Sequence, residues 1–355
     1  MLAGTVAATP DAALDALFVP FAGGQLRLPD DGRAWFLHAR DGFRLREMAR
    51  PDWLCEQSFK PFADALVRSG LAVGEAARDD RFSLVLILPP RQRDERRAVF
   101  ARAVQHAQAD GLVLACVPNV EGAKSAEADF VRLLGPVRSL SKHKCRVFWN
   151  TRPAGTADAA LRAEWGALDA PRPIADGYVS RPGLFAWDRI DRASALLAQY
   201  LPRDLHGRVA DLGAGYGYLS SQLIAHCPRL TALDLYEAEA RALEPARINL
   251  ASALRASGRT LATAVHWHDV TTGLAQHYDA IVSNPPFHQG RADMPELGRA
   301  FIASAADALL PQGCLWLVAN RHLPYEAMLA ARFSQVRTVT TQDGFKVIEA
   351  LGVHA

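Results

Sequence analysis

Little in this 355-residue chain points toward cross-links, metal or membrane. Cysteine is scarce: Cys55, Cys116, Cys145, Cys227 and Cys314 are odd in number, widely spaced and without a C-x-x-C pair. Neither a disulfide framework nor a zinc site is therefore expected, and a reducing cytoplasm fits best. No apolar run approaches the roughly 20 residues that a membrane helix needs, and even LVLILPP breaks at proline. The opening MLAGTVAATPDAALDALFVP has no basic n-region and carries acids where a leader would be apolar, so a soluble protein is expected. Neither sign of charge dominates. A net charge of +2 and a pI near 8.3 neither demand nor exclude a polyanionic partner. Basic residues lean slightly toward the first half, where RQRDERR (Arg91 to Arg97) reads as a solvated helix face in preference to an RNA contact.

What is present is hydrophobic substance for two cores. Half of the residues are apolar, and the length suggests two domains. The second half alternates short β-type runs (GRVADLG, RLTALDLY, ATAVHWHDV, YDAIVSN, GCLWLVAN) with longer helical ones, the pattern of a parallel sheet covered on both faces. SQVRTVTT and FKVIEALGV, separated by QDG, read as a hairpin appended to that sheet. Residues 151–180, rich in alanine, proline and glycine, read as a linker between a domain over 1–150 and another over 181–355. The first half repeats the layout more faintly: a strand, Pro-Pro, a helix, a glycine and a strand recur, and KHKCRVFW mirrors QDGFKVIEA. Duplication of a whole domain explains this, with the first copy lacking a working site. Leu88 stands where Asn284 stands in the second copy, and FAGGQLRLP near residue 21 is the nearest thing to a glycine loop.

Two stretches carry chemistry. In VADLGAGYGYLSSQL, Gly213, Gly215 and Gly217 alternate after a strand and open a helix, two residues beyond Asp211. Without Cβ atoms the backbone turns tightly and approaches a ligand closely, so a nucleotide-like cofactor belongs there. An acid at the tip of the next strand can accept ribose hydroxyl protons; Glu237 is the choice and Asp234 its rival. Asp269, after the third strand, is either a cap or turn acid or, as the resemblance given below implies, the residue that holds an adenine amino group, the two readings being equal. His266 and His268 have no third ligand in view, so no metal is assigned. The second stretch is IVSNPPFHQG. A strand ending in Asn284-Pro285-Pro286-Phe287 aims two acceptors, the Asn284 side-chain carbonyl and the Pro285 backbone carbonyl, at one spot, because proline fixes φ and offers no N–H. Such a pair suits a planar –NH2 group, with Phe287 stacked on the attached ring.

The spacing D-x-G-x-G-x-G resembles the first motif of class I S-adenosylmethionine methyltransferases. With RPGLFAWDRIDRASALL (181–197), IVSNPPFHQG, LWLVANRHLPYE and GFKVIEA, the second half resembles the bacterial guanine-N2 ribosomal RNA methyltransferases, most closely the small subunit methyltransferase C type. NVEGAKSAEADFVRLLGPV and KHKCRVFW extend the likeness to the first half. DRAS (191–194) departs from the family in lacking a glycine after the aspartate. The resemblance implies two tandem Rossmann-like α/β domains, the second with a seven-stranded, mostly parallel sheet ending in an antiparallel hairpin, the first degenerate and aiding folding and RNA binding. It implies S-adenosylmethionine as cofactor and a guanine of 16S rRNA, within the small subunit, as substrate of a monomer. A large-subunit rRNA guanine-N2 methyltransferase and a non-catalytic RNA-binding assembly factor are the alternatives.

Overall fold

The computed structural model describes residues 11–30, 32–151, 157–286, 288–289, 292–293 and 295–354. The chain divides into two compact units, Met1–Ala170 and Pro171–Ala355. In the first, strands β1 (Ala34–Leu37), β2 (Trp53–Glu56), β3 (Ala72–Val73), β4 (Phe82–Ile87), β5 (Ala107–Pro118), β6 (Arg138–Lys142) and β7 (Cys145–Asn150) form one sheet in the order β3-β2-β1-β4-β5-β7-β6. β1 to β5 pair in parallel, while β7 runs antiparallel to both β5 and β6. All six residues of β4 are buried, as expected of a strand covered on both faces. On one face Phe100, Phe130 and Phe148 pack edge to face, with neighbouring ring centroids 5.1 Å apart. Leu14, Leu17, Phe36, Leu86 and Leu88 belong to the core of the other.

The second unit begins with a two-stranded ribbon, β8 (Arg172–Pro173) and β9 (Val179–Ser180). Its main sheet contains β10 (His206–Leu212), β11 (Arg229–Glu237), β12 (Ala262–Trp267) and β13 (Tyr278–Ser283). After a short antiparallel pair, β14 (His288–Gln289) and β15 (Ala292–Asp293), it is completed by β16 (Leu309–Asn320), β17 (Phe333–Gln342) and β18 (Phe345–Val353). The order β12-β11-β10-β13-β16-β18-β17 repeats that of the first unit strand for strand. The α/β class, the tandem duplication and the closing hairpin are thus as the sequence indicated. Both hairpins turn through two residues of positive φ, His143-Lys144 (52° and 58°) and Asp343-Gly344 (54° and 84°), a two-residue turn whose twist matches the flanking strands.

Three expectations are corrected. Residues 151–180 are not simply a linker: they include the helix Ala159–Gly166, whose Leu161 and Trp165 are buried in the first unit's core. The apolar area of a fully buried tryptophan outweighs the weak local propensity of an alanine-glycine stretch. FAGGQLRLP precedes β1, where no cofactor turn belongs; the corresponding strand-to-helix turn is His38 to Gly42, and a Cβ at Gly42 would lie 2.4 Å from Leu14 Cδ2. RQRDERR is not a solvated face. Arg93, Arg96 and Arg97 all pair with Asp129, Arg97 also stacks over Trp165 at 4.8 Å, and Arg96 is only 3% exposed.

Leu88 directly follows β4, as Asn284 follows β13, and is packed in the core. Leu88→Asn is expected to create no second cofactor site and to cost about 1–3 kcal/mol, because a buried amide gains no partner there. Titration calorimetry and urea denaturation check both halves.

Candidate active site

β10 ends at Leu212, and the chain then turns through Gly213, Ala214, Gly215, Tyr216 and Gly217 into the helix Tyr218–His226. The amides of Gly213 and Ala214 donate to the Tyr236 carbonyl at 2.9 and 3.1 Å, tying the turn to the end of β11. Glycine is required at two positions for different reasons. Gly217 has φ 83°, and a Cβ there would stand 3.4 Å from Ala246 Cα, so it lets the helix Ala240–Ser257 approach. Gly215 has φ 53°, and the place of its Cβ is open space.

The acids divide by position. Glu237 ends β11 and accepts from the Gly215 amide at 2.7 Å and the Glu239 amide at 2.8 Å. Burial raises its pKa, and these backbone donors oppose the rise. Asp234, three residues earlier and 3% exposed, is held elsewhere: its carboxylate accepts from Arg208 (2.7 Å) and from the Tyr278 hydroxyl (2.9 Å). Asp211 is fully buried beneath the turn and accepts from the Ser220 amide (3.1 Å) and hydroxyl (2.7 Å). Burial pushes its pKa up to about 7. Asp269 caps the short turn Val270–Thr272, accepting from Thr271 N at 2.9 Å and Thr271 Oγ at 2.7 Å. His266 stacks on Tyr236 and His268 meets the same ring edge-on, so both histidines serve packing.

Asn284 leaves the end of β13 and faces the glycine turn across an open depression lined by Phe185, Asp191, Ser194, Gly215, Tyr216 and Asn284 among others. Its Nδ2 donates to Asp191 Oδ2 at 2.9 Å and to Ser194 Oγ at 2.8 Å. Asp191 is the N-cap of the helix Arg192–Tyr200, and the same Oδ2 accepts from the Ser194 amide at 2.8 Å. No described residue donates to Asn284 Oδ1. Pro285 is buried and Pro286 exposed, and Phe287 lies outside the described residues.

Residues 177–349 match the family described as Methyltransferase small domain. Over 289 residues the chain is 32% identical to Ribosomal RNA small subunit methyltransferase C of Shewanella amazonensis, covering 76% of this chain and 78% of that one. The chain belongs to the ribosomal RNA small subunit methyltransferase C family. A second relative of that name, from Psychromonas ingrahamii, is 26% identical over 87% of this chain and 88% of its own. A solved structure, the 16S rRNA N2 methyltransferase RsmC of T. thermophilus in complex with AdoMet and guanosine, covers 96% of this chain and 92% of its own, with a TM-score of 0.76. At 24% identity that likeness establishes the fold.

In this member of the family the structure brings Gly213, Gly215 and Asn284 to one depression, with Glu237 bonded to the turn beside it. Asp211, Asp234 and Asp269 do not line it. Asp211 braces the turn from below, Asp234 neutralises Arg208, and Asp269 makes the cap weighed against a binding role. The motif reading missed Phe185, Asp191, Ser194 and Tyr216. Phe185 is 71% exposed at the rim, while the Tyr216 hydroxyl donates to the Arg189 carbonyl at 3.0 Å and holds the segment that carries it. One signal for Asp191 was legible: an aspartate directly before an apolar helical run is an N-cap, and the departure at DRAS marks the same place.

Proposed function

We propose that this chain transfers a methyl group from S-adenosylmethionine to the exocyclic N2 amine of a guanine in 16S rRNA. The observation that carries the reading is the clamped amide of Asn284 at the mouth of the depression beside the glycine turn. The residues present fit the cofactor. Open space stands where a Cβ of Gly215 would be, and the Glu237 carboxylate against the turn supplies acceptors for ribose hydroxyls. Gly213, Gly215 and Gly217 would shape its seat, Glu237 would hold the ribose, and Asp269 would stand on the adenine side. Asp211 supports the turn from beneath. Bound there, S-adenosylmethionine supplies an electrophilic sulfonium methyl group.

The chain's own residues then have a defined task. The lone pair of a guanine N2 amine is delocalised into the ring, which makes it a poor nucleophile. Asn284 Oδ1 accepts one of its N–H groups and the Pro285 carbonyl the other, so the nitrogen is held with its lone pair free and the charge that grows on it is stabilised. Phe287, outside the described residues, is the candidate to stack on the ring. No strong base is needed beforehand, since the methylated nitrogen is acidic and sheds its proton afterwards.

The first unit, with leucines in place of the polar site residues, supports folding and binds RNA. The substrate is rRNA within the small subunit, met in the bacterial cytoplasm by a monomeric enzyme. Small subunits from cells lacking the gene, incubated with the protein and S-adenosylmethionine, are expected to gain N2-methylguanosine in 16S rRNA by mass spectrometry. Methylation confined to 23S rRNA, or none, would overturn the reading.

Gly215→Val probes the cofactor seat. A β-branched side chain at φ 53° is strained by about 1–2 kcal/mol and fills the open side of the turn. Cofactor affinity in calorimetry is expected to fall at least tenfold while the protein remains folded by circular dichroism.

A further inference from the structure

Asp191 is a conventional helix cap by sequence, yet its geometry exceeds that role. A carboxylate can only accept, so the end of the Asn284 side chain facing Asp191 Oδ2 must be the –NH2 group. That fixes the amide's rotation and leaves Oδ1 as the group presented to the depression. Ser194 Oγ, a second acceptor at 2.8 Å, reinforces the same orientation.

The first unit provides an internal comparison. Asp11 caps the helix Ala12–Leu17, accepting from the amides of Ala13 (3.1 Å) and Leu14 (3.0 Å), and its other oxygen pairs with Arg40 at 3.0 Å. Leu14 stands three residues after that cap, as Ser194 does after Asp191, and Leu88 stands where Asn284 does. Both leucines are buried in one apolar cluster. Where the capping aspartate has no asparagine to hold, serine is absent as well, and the cap alone remains.

We infer that Asp191, aided by Ser194, is a positioning residue that sets the Asn284 amide with its oxygen toward the acceptor and so makes the site select an amine, which donates, over an acceptor-only group. The inference rests on the amine-methylating reading above. It requires no change of protonation at Asp191, only an accepting oxygen in that place.

The test uses two substitutions that keep a good helix cap. Asp191→Ser is too short to reach Asn284, whereas Asp191→Asn retains an oxygen that can accept. The chain has five asparagines, so selective 15N-asparagine labelling yields five side-chain –NH2 pairs, with that of Asn284 assigned by its loss in Asn284→Ala. In Asp191→Ser the Asn284 pair is expected to shift and its protons to exchange at least tenfold faster. Turnover on small subunits is expected to fall tenfold or more, with KM for RNA, cofactor affinity and melting temperature near wild type. Asp191→Asn is expected to recover most of the turnover and to keep the pair near its original position. An unmoved Asn284 pair in Asp191→Ser, or a moved pair with wild-type turnover, would overturn the inference. Absence of N2-methylguanosine with the unmodified protein would instead overturn the proposed function, and the amide signals would still decide whether Asp191 orients Asn284.

Discussion

Asn284→Ala is expected to lower kcat by about a hundredfold or more while S-adenosylmethionine binds nearly as well as before. One positioned group aimed at developing charge is commonly worth that much, and alanine removes the acceptor without touching the glycine turn or Glu237. The fold should tolerate the change. Asn284 is only partly buried, and its partners Asp191 and Ser194 retain each other through the cap hydrogen bond at 2.8 Å. Single-turnover methyl transfer to small subunits separates the chemical step from binding, and calorimetry follows the cofactor. Turnover close to wild type would remove the two-acceptor mechanism. A proportional loss of cofactor affinity would place Asn284 in the cofactor's seat instead of the acceptor's.

The second large effect is on stability and lies in the first unit. Asp129→Ala is expected to destabilise it by about 3–5 kcal/mol, the range found when one partner of a buried ion pair is removed. Asp129, 2% exposed, holds Arg93 at 2.9 Å, Arg97 at 2.9 Å and the buried Arg96 at 3.3 Å. Without it three guanidinium groups face one another, and the buried Arg96 keeps its desolvation cost with a hydrogen bond to Ser125 Oγ at 3.3 Å in place of an ion pair. Burial alone would raise the Asp129 pKa, but hydrogen bonds from Arg93 and Arg97 and the Arg97 charge prevail and bring it from 3.8 to about 2. The sign of the pH dependence follows. A carboxylate with a depressed pKa contributes stability above its unfolded value, and the contribution, on the order of 2 kcal/mol, is lost as pH falls from near 4 through about 2. Urea denaturation of wild type and Asp129→Asn across that window should converge at the acid end. Parallel curves would show that the network is not what the carboxylate stabilises.

The reading of RQRDERR shows where sequence reasoning stops. Spacing and composition reveal a basic helix, but its acidic partner, Asp129, is more than thirty residues away. Only packing of the helix Arg93–His106 against the helix Ala123–Leu134 brings them together. Trp165 is a similar case: an alanine-rich neighbourhood conceals that its ring completes the core on the far side of Arg97. The choice between Glu237 and Asp234 was likewise open in the sequence, since both sit near a strand end. The pleat separates the two, because side chains an odd number of residues apart leave a strand on opposite faces. One turns to the glycine turn and the other to Arg208 and Tyr278.

What the sequence alone determined is everything that depends on local repetition. Alternating strands and helices, a D-G turn, glycines at every second position and a Pro-Pro strand end each constrain φ and ψ where they stand, and together they indicate the α/β class, the duplication and the closing hairpin. Tertiary structure alone decided which partners those local features meet. Asp191 reaches Asn284 across 93 positions of chain, and Leu14 and Leu88 close the corresponding space in the first unit by burial. Hydrogen bonds and apolar contacts act over a few ångströms of space whatever the distance along the backbone. Which contacts surround Asn284 in one copy and Leu88 in the other is therefore a property of the folded chain.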